Sequence, residues 1–198
     1  SCGQLTSTCP VWSQVGRPPA RHLHRSVADL LNVDVVIDSS KSLSWVRDAY
    51  RWAEADDMTV QVVVPWRGPK GIAYSYWKRG ASEWATNLEG YFRRLNDLGI
   101  PWRPLLFDKL ISDPTAALET VYEPLGLQYE PGQEQFWKGD FHSLFGSGGT
   151  REQVVSGASV LSAPVFPPAF EDYWSSLPGA LSRRLEVLDE QVRQGQVT

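Results

Sequence analysis

Two short stretches hold the residue types from which an anion site can be built. The first is VVVPWRGPKGIAYSYWKR, residues 62–79. An apolar run ends at Arg67, a Gly-Pro-Lys-Gly turn follows, and a helical pattern carrying Ser75 comes next. A guanidinium is a planar fork of donors that matches a phosphate. A helix starting near Pro69 adds unpaired N–H groups and the positive end of its dipole. Lys70 adds charge, and Ser75, two turns along, adds a hydroxyl donor. The second stretch is Asp38-Ser39-Ser40-Lys41, which closes another apolar run. Both have plainer readings. Arg-Gly-Pro-Lys-Gly is also an ordinary surface turn with Ser75 facing solvent, and Asp or Ser after a strand commonly caps the next helix.

These residues can act together only if the fold brings them to the carboxyl ends of parallel strands, where open α/β sheets bind ligands. The hydrophobic pattern predicts such a fold. VDVVIDSS (33–40) and MTVQVVVPW (58–66) read as strands covered on both faces, and WRPLLF (102–107) as a third. Helices are predicted between them. In KSLSWVRDAYRWAEA, residues Leu43, Val46, Ala49 and Ala53 share a face. SEWATNLEGYFRRLNDLG carries the stripe Trp84, Leu88, Tyr91, Leu95 and Leu98, with Gly99 as its stop. SDPTAALETVYEPLG has Asp113 as N-cap, Pro114 at the first helical position and Gly126 just past the end. FEDYWSSLPGALSRRLEVLDEQV reads as helical, with Leu181, Leu185, Leu188 and Val192 on its buried side. ARHLHRSVADLL is a short amphipathic helix whose His22 and His24 read as surface or packing residues. The alternation of strand and helix predicts an α/β protein with a mainly parallel sheet. Residues 139–168 are rich in Gly, Ser and Pro and are predicted to form a long loop within the domain.

The totals narrow the function classes. A length of 198 residues suits one domain, 1–198, with room for a real core. A net charge of −4 argues against bulk nucleic-acid or anionic-membrane binding and leaves room for a local basic pocket. No apolar stretch is long enough to span a bilayer, and the first residues lack a signal-peptide pattern, so a cytoplasmic protein without a transmembrane segment is expected. Two cysteines, Cys2 and Cys9, with no histidine at ligand spacing, do not make a zinc site and read as reduced structural thiols, with a local disulfide as the alternative. No metal is called for. Nine tryptophans suggest an aromatic-rich core or groove.

Taken in order, VVIDSSK, VVVPWRGPKGIAYSYWK, LLFDKLISDPTAALETVYEPLGL and HSLFGSGGTR resemble the bacterial branch of the sulfotransferase family, whose co-substrate is 3′-phosphoadenosine 5′-phosphosulfate (PAPS). The opening CGQLTSTCPVW is similar to a Cys-Gly…Cys-Pro-x-Trp segment of that branch, so the resemblance runs from residue 2 to about residue 185. It implies a P-loop-NTPase-like three-layer sandwich. It further implies that Arg67 and Ser75 hold the cofactor's 3′-phosphate, that Arg151 reaches the same phosphate, and that Ser40 and Lys41 lie near the sulfuryl group and acceptor. The implied acceptor is a small molecule or carbohydrate offering a hydroxyl or amine, and no nucleic acid is expected as partner.

The chain departs from the family pattern in three places. Gly68 stands where the family has Asp in Arg-Asp-Pro, which is expected to loosen the turn. The late loop reads GSGGTR in place of Gly-Asn before the Arg. The N-terminal strand and Gly-rich loop that grip the 5′-phosphosulfate have no counterpart in the sequence; such a unit is about 30 residues or more. The resemblance therefore implies a fragment of a longer protein or a truncated one, with weak activity alone, since sulfuryl transfer depends on neutralising the leaving group. The general base is open between Asp38, which is alternatively an N-cap, and His142, alternatively a loop hydrogen-bonder. Two rival readings stand: a non-catalytic nucleotide- or partner-binding remnant of the fold, and a related nucleotide-dependent kinase, for which no acidic pair to hold Mg²⁺ is evident.

Overall fold

The computed structural model describes residues 8–16, 18–135 and 162–195. Cys2, His142, Arg151 and the 139–161 part of the predicted loop lie outside the described residues. The chain divides into two compact units, one of residues 1–60 with 130–161 and the other of 61–129 with 162–198.

In the first unit, a short helix α1 (Trp12–Val15) and a 3₁₀ turn (Ala20–His22) lead to α2 (Leu23–Leu31) and α3 (Leu43–Ala55). Helix α2 ends at Asn32, whose left-handed backbone (φ 49°) stops the helix. Helix α3 begins at Ser42, whose Oγ accepts from the Trp45 N–H at 3.4 Å. Cys9 is fully buried, as a small apolar thiol should be.

The expected first strand is not a strand. Residues 33–42 carry no strand assignment, and Val33, Val35 and Ile37 are exposed to 40%, 43% and 85%. A β-branched run has the propensity for extended backbone, but a strand exists only when a neighbour supplies hydrogen-bond partners. Among the described residues none does.

The second unit holds the sheet. β1 (Val62–Trp66) and β2 (Trp102–Leu106) are parallel, in a register that runs from Val62 opposite Trp102 to Trp66 opposite Leu106. The crossover between them is α4 (Gly68–Trp77) and α5 (Trp84–Asp97). After β2 come α6 (Phe107–Ser112) and α7 (Pro114–Tyr122). The start and stop of this last pair follow the sequence signals. Asp113 Oδ1 accepts from the Ala116 N–H at 3.0 Å, and Gly126 adopts φ 67° just beyond the end.

The predicted C-terminal helix is two helices, α8 (Pro168–Ser175) and α9 (Gly179–Arg193). Pro178 sits between them with ψ 133°, because a proline has no N–H to continue the first helix and is at home just before a new one. The stripe on α5 lies nearly where the periodicity put it: Trp84, Leu88 and Leu95 are buried, while Phe92 rather than Tyr91 takes the centre. Phe92 packs edge-on against Trp66 at 5.4 Å, and from α9 Leu185, Leu188 and Val192 are buried. Each such large apolar side chain contributes roughly 1.5–3 kcal/mol. A second aromatic cluster joins Tyr74, Trp77, Phe166, Phe170, Tyr173 and Trp174, and the Trp84 indole N–H donates to the Tyr173 hydroxyl at 2.9 Å. The chain is thus α/β, with a two-stranded parallel sheet among the described residues.

Candidate functional site

Arg67 stands at the carboxyl end of β1, at the head of α4, and is exposed. The parallel register places Phe107 at the matching position beyond β2, and the Arg67 guanidinium lies 4.5 Å from the centre of its ring. Such a cation–π contact is worth about 0.5–1 kcal/mol at an exposed site and holds the side chain without spending its N–H donors. Among the described residues the guanidinium meets no carboxylate. Helix α4 has no side-chain cap and no acidic residue in its first turn, so its N-terminal N–H groups remain available to an anion.

Two glycines make this arrangement possible. Gly68 has φ 71° and is buried, so the strand can turn directly into the helix. At Gly71 a Cβ would come within 3.2 Å of the Arg67 Cβ. Helix α9 packs against this turn. The Trp66 indole donates to Asp189 Oδ1 at 2.6 Å, and that same oxygen lies 3.8 Å from where a Cβ on Gly68 would be. Arg193 completes the frame, donating from Nε to Asp189 and from Nη1 to Asp108, both at 2.9 Å. Partial burial pushes the Asp108 carboxyl up, but the hydrogen bond and charge of Arg193 together with the Lys109 N–H outweigh it and hold the group below the ordinary carboxylate value.

Lys70 does not add free charge to the site. Its ammonium donates to both oxygens of Glu171, at 2.9 and 2.7 Å, and sits over the Phe166 ring. Ser75 is half-buried and its Oγ donates back to the Gly71 carbonyl at 3.2 Å, so the hydroxyl neither faces open solvent nor is idle. It retains lone pairs for accepting, and it can donate to an anion only by releasing that carbonyl.

In the first unit Asp38 is the hub of the DSSK segment. Its Oδ1 accepts from the Ser40 backbone N–H at 2.8 Å. Its Oδ2 receives the Trp45 indole N–H at 2.6 Å and lies 2.7 Å from His24 Nε2. Asp38 is therefore not the N-cap of α3, a role filled by Ser42. Partial burial pushes the carboxyl up, and the hydrogen bonds from Ser40, His24 and Trp45 more than offset it, leaving Asp38 at about 2. Lys41 is exposed.

Sequence reasoning missed several participants. His24 lies fourteen residues from Asp38 and was expected on a surface or packing face. No local spacing connects the two, nor does any link Asp189 and Arg193 to the Arg67 turn. Phe107 was legible only as part of a strand.

Among the described residues no group of three or more His, Cys, Asp or Glu is placed to hold a metal ion, and no helix is long and apolar enough to cross a membrane. Comparison with protein-family models, with curated proteins and with solved structures found no match.

Proposed function

We propose that the chain is a PAPS-dependent sulfotransferase domain of P-loop-like three-layer architecture, in the cytoplasm. It moves a sulfuryl group from PAPS to a hydroxyl or amine of a small-molecule or carbohydrate acceptor. The observation that carries this reading is Arg67. It is an exposed guanidinium at the head of an uncapped helix, at the carboxyl end of a parallel strand, steadied by a ring and unpaired with any carboxylate among the described residues. That is a site prepared for a phosphate. On this reading Arg67, the first N–H groups of α4 and Ser75 take the 3′-phosphate of the nucleotide. The sulfotransferase resemblance further assigns Arg151 to that phosphate and Ser40 and Lys41 to the sulfuryl end. Lys70, committed to Glu171, takes no part.

The test is calorimetric titration of the chain with 3′-phosphoadenosine 5′-phosphate (PAP), the product nucleotide. Charge-assisted hydrogen bonds of about 1.5–3 kcal/mol at Arg67 predict that Arg67→Ala weakens binding roughly 10- to 100-fold. A folded wild-type chain that ignores PAP, or an Arg67→Ala chain that binds it equally well, refutes the reading.

A further inference from the structure

Within the second unit a groove of about 510 Å³ lies between α5 and α9, and none of its lining residues belongs to the Arg67 turn. Its floor is Phe92 and Leu188, both buried, and Val187 stands in it 56% exposed. Arg184 ties the two helices together, donating from Nε and Nη2 to the Glu89 carboxylate at 2.9 and 2.6 Å. That pair is neutral as a whole. Arg93 from α5 and Arg183 from α9 line the same groove, and both are exposed. Among the described residues neither guanidinium meets a carboxylate. In a chain of net charge −4, two such cations side by side with exposed apolar surface are a local excess of positive charge. Their methylene stems extend the apolar surface up to the charged heads. A few hundred cubic ångströms of largely apolar lining with a small number of convergent polar groups is the character of a small-molecule site.

We propose that the α5–α9 groove binds a small amphiphilic carboxylate, with its apolar part over Val187 and its head group held by Arg93 and Arg183. A guanidinium takes a carboxylate through paired N–H donors, so the head group fixes the ligand's orientation while the apolar part supplies contact area. Two other occupants fit less well. A second copy of this chain seated symmetrically on the groove would set Arg93 and Arg183 against the same two cations, a like-charge contact. A partner helix would need a longer track, since the lining residues on α5 span 89–93, about 6 Å of helix. The proposal stands apart from the sulfotransferase reading, none of whose site residues lines the groove.

The test is calorimetric titration of the full chain with sodium decanoate, below its micelle concentration, and with decanol, which has the same chain and no charge. Decanoate is expected to bind one to one, and decanol at least about 10-fold more weakly, the share of a charge-assisted hydrogen bond. Replacing both cations, Arg93→Gln with Arg183→Gln, should weaken decanoate roughly 10- to 100-fold. Val187→Glu, which sets a carboxylate of the chain's own among the arginines, should abolish its binding. All three positions are exposed, so the melting temperature of each variant should stay close to the wild type's and confirm that the fold is kept. A folded wild type that ignores decanoate, equal affinity for decanol, or a double variant that binds decanoate as well as the wild type overturns the assignment. So does self-association of the wild type that Val187→Glu removes, which would give the groove to a second copy.

Discussion

At the scale of single residues, the same side chain types that the sequence singles out acquire roles from what they touch. Asp38 was a capping candidate or a base. Ser42 caps α3 in its place, and the Asp38 carboxyl is an anchor for the Ser40 N–H, Trp45 and His24. Its carboxyl stands at about 2, below the ordinary value near 3.8. A depressed carboxyl contributes stability that is present above its unfolded value and is lost as pH falls toward the folded one. The wild type should therefore be more stable than Asp38→Asn at neutral pH, and the gap should narrow as pH falls from about 4 toward about 2. Thermal denaturation of both chains across that window measures it, and a gap that stays constant would contradict the hydrogen-bond geometry. Lys70 shows the opposite case. It looks like a phosphate ligand in the sequence, and a bidentate ion pair with Glu171 occupies it.

At the scale of elements, the β1–α4 turn is held by contacts from two other elements. Its register with β2 aligns Arg67 with Phe107, and α9 clamps it through the Trp66–Asp189 bond. Gly68 is needed there for its backbone at φ 71°, and Asp189 Oδ1 lies 3.8 Å from where a Cβ would be. Gly68→Asp would place a side chain in the left-handed region and a second negative charge beside Asp189. We expect a loss of about 1–3 kcal/mol in chemical denaturation, together with weaker PAP binding. A neutral or stabilising effect would mean that the clamp from α9 does not set this turn. No local signal foretells the contact with α9, which lies more than a hundred residues away.

At the scale of the whole molecule, each of the two units has its own logic. The second unit is held by an aromatic core, from Trp66 and Phe92 to Phe170 and Trp84. In the first, the run from Val33 to Ile37 is apolar, β-branched and exposed. Were Ile37 in a covered strand, a charged substitution would cost several kcal/mol. At 85% exposure, Ile37→Lys should change stability by no more than about 0.5 kcal/mol. A large drop in melting temperature on that substitution would show that the segment is covered in solution.

The amino-acid sequence by itself determined the local events. Helical stripes at 3.6-residue spacing, the cap at Asp113 and the stops at Gly99 and Gly126 all follow from short-range chemistry that any window of the chain displays. It also placed Arg67 at the junction of strand and helix. Tertiary structure decided the rest, because those outcomes depend on partners far along the chain. Whether Val33–Ile37 becomes a strand turns on a neighbour's hydrogen bonds. Lys70 is lost to Glu171, and the Gly68 turn is secured by Asp189. His24 becomes a clamped imidazole only when chain folding brings Asp38 within 2.7 Å of it.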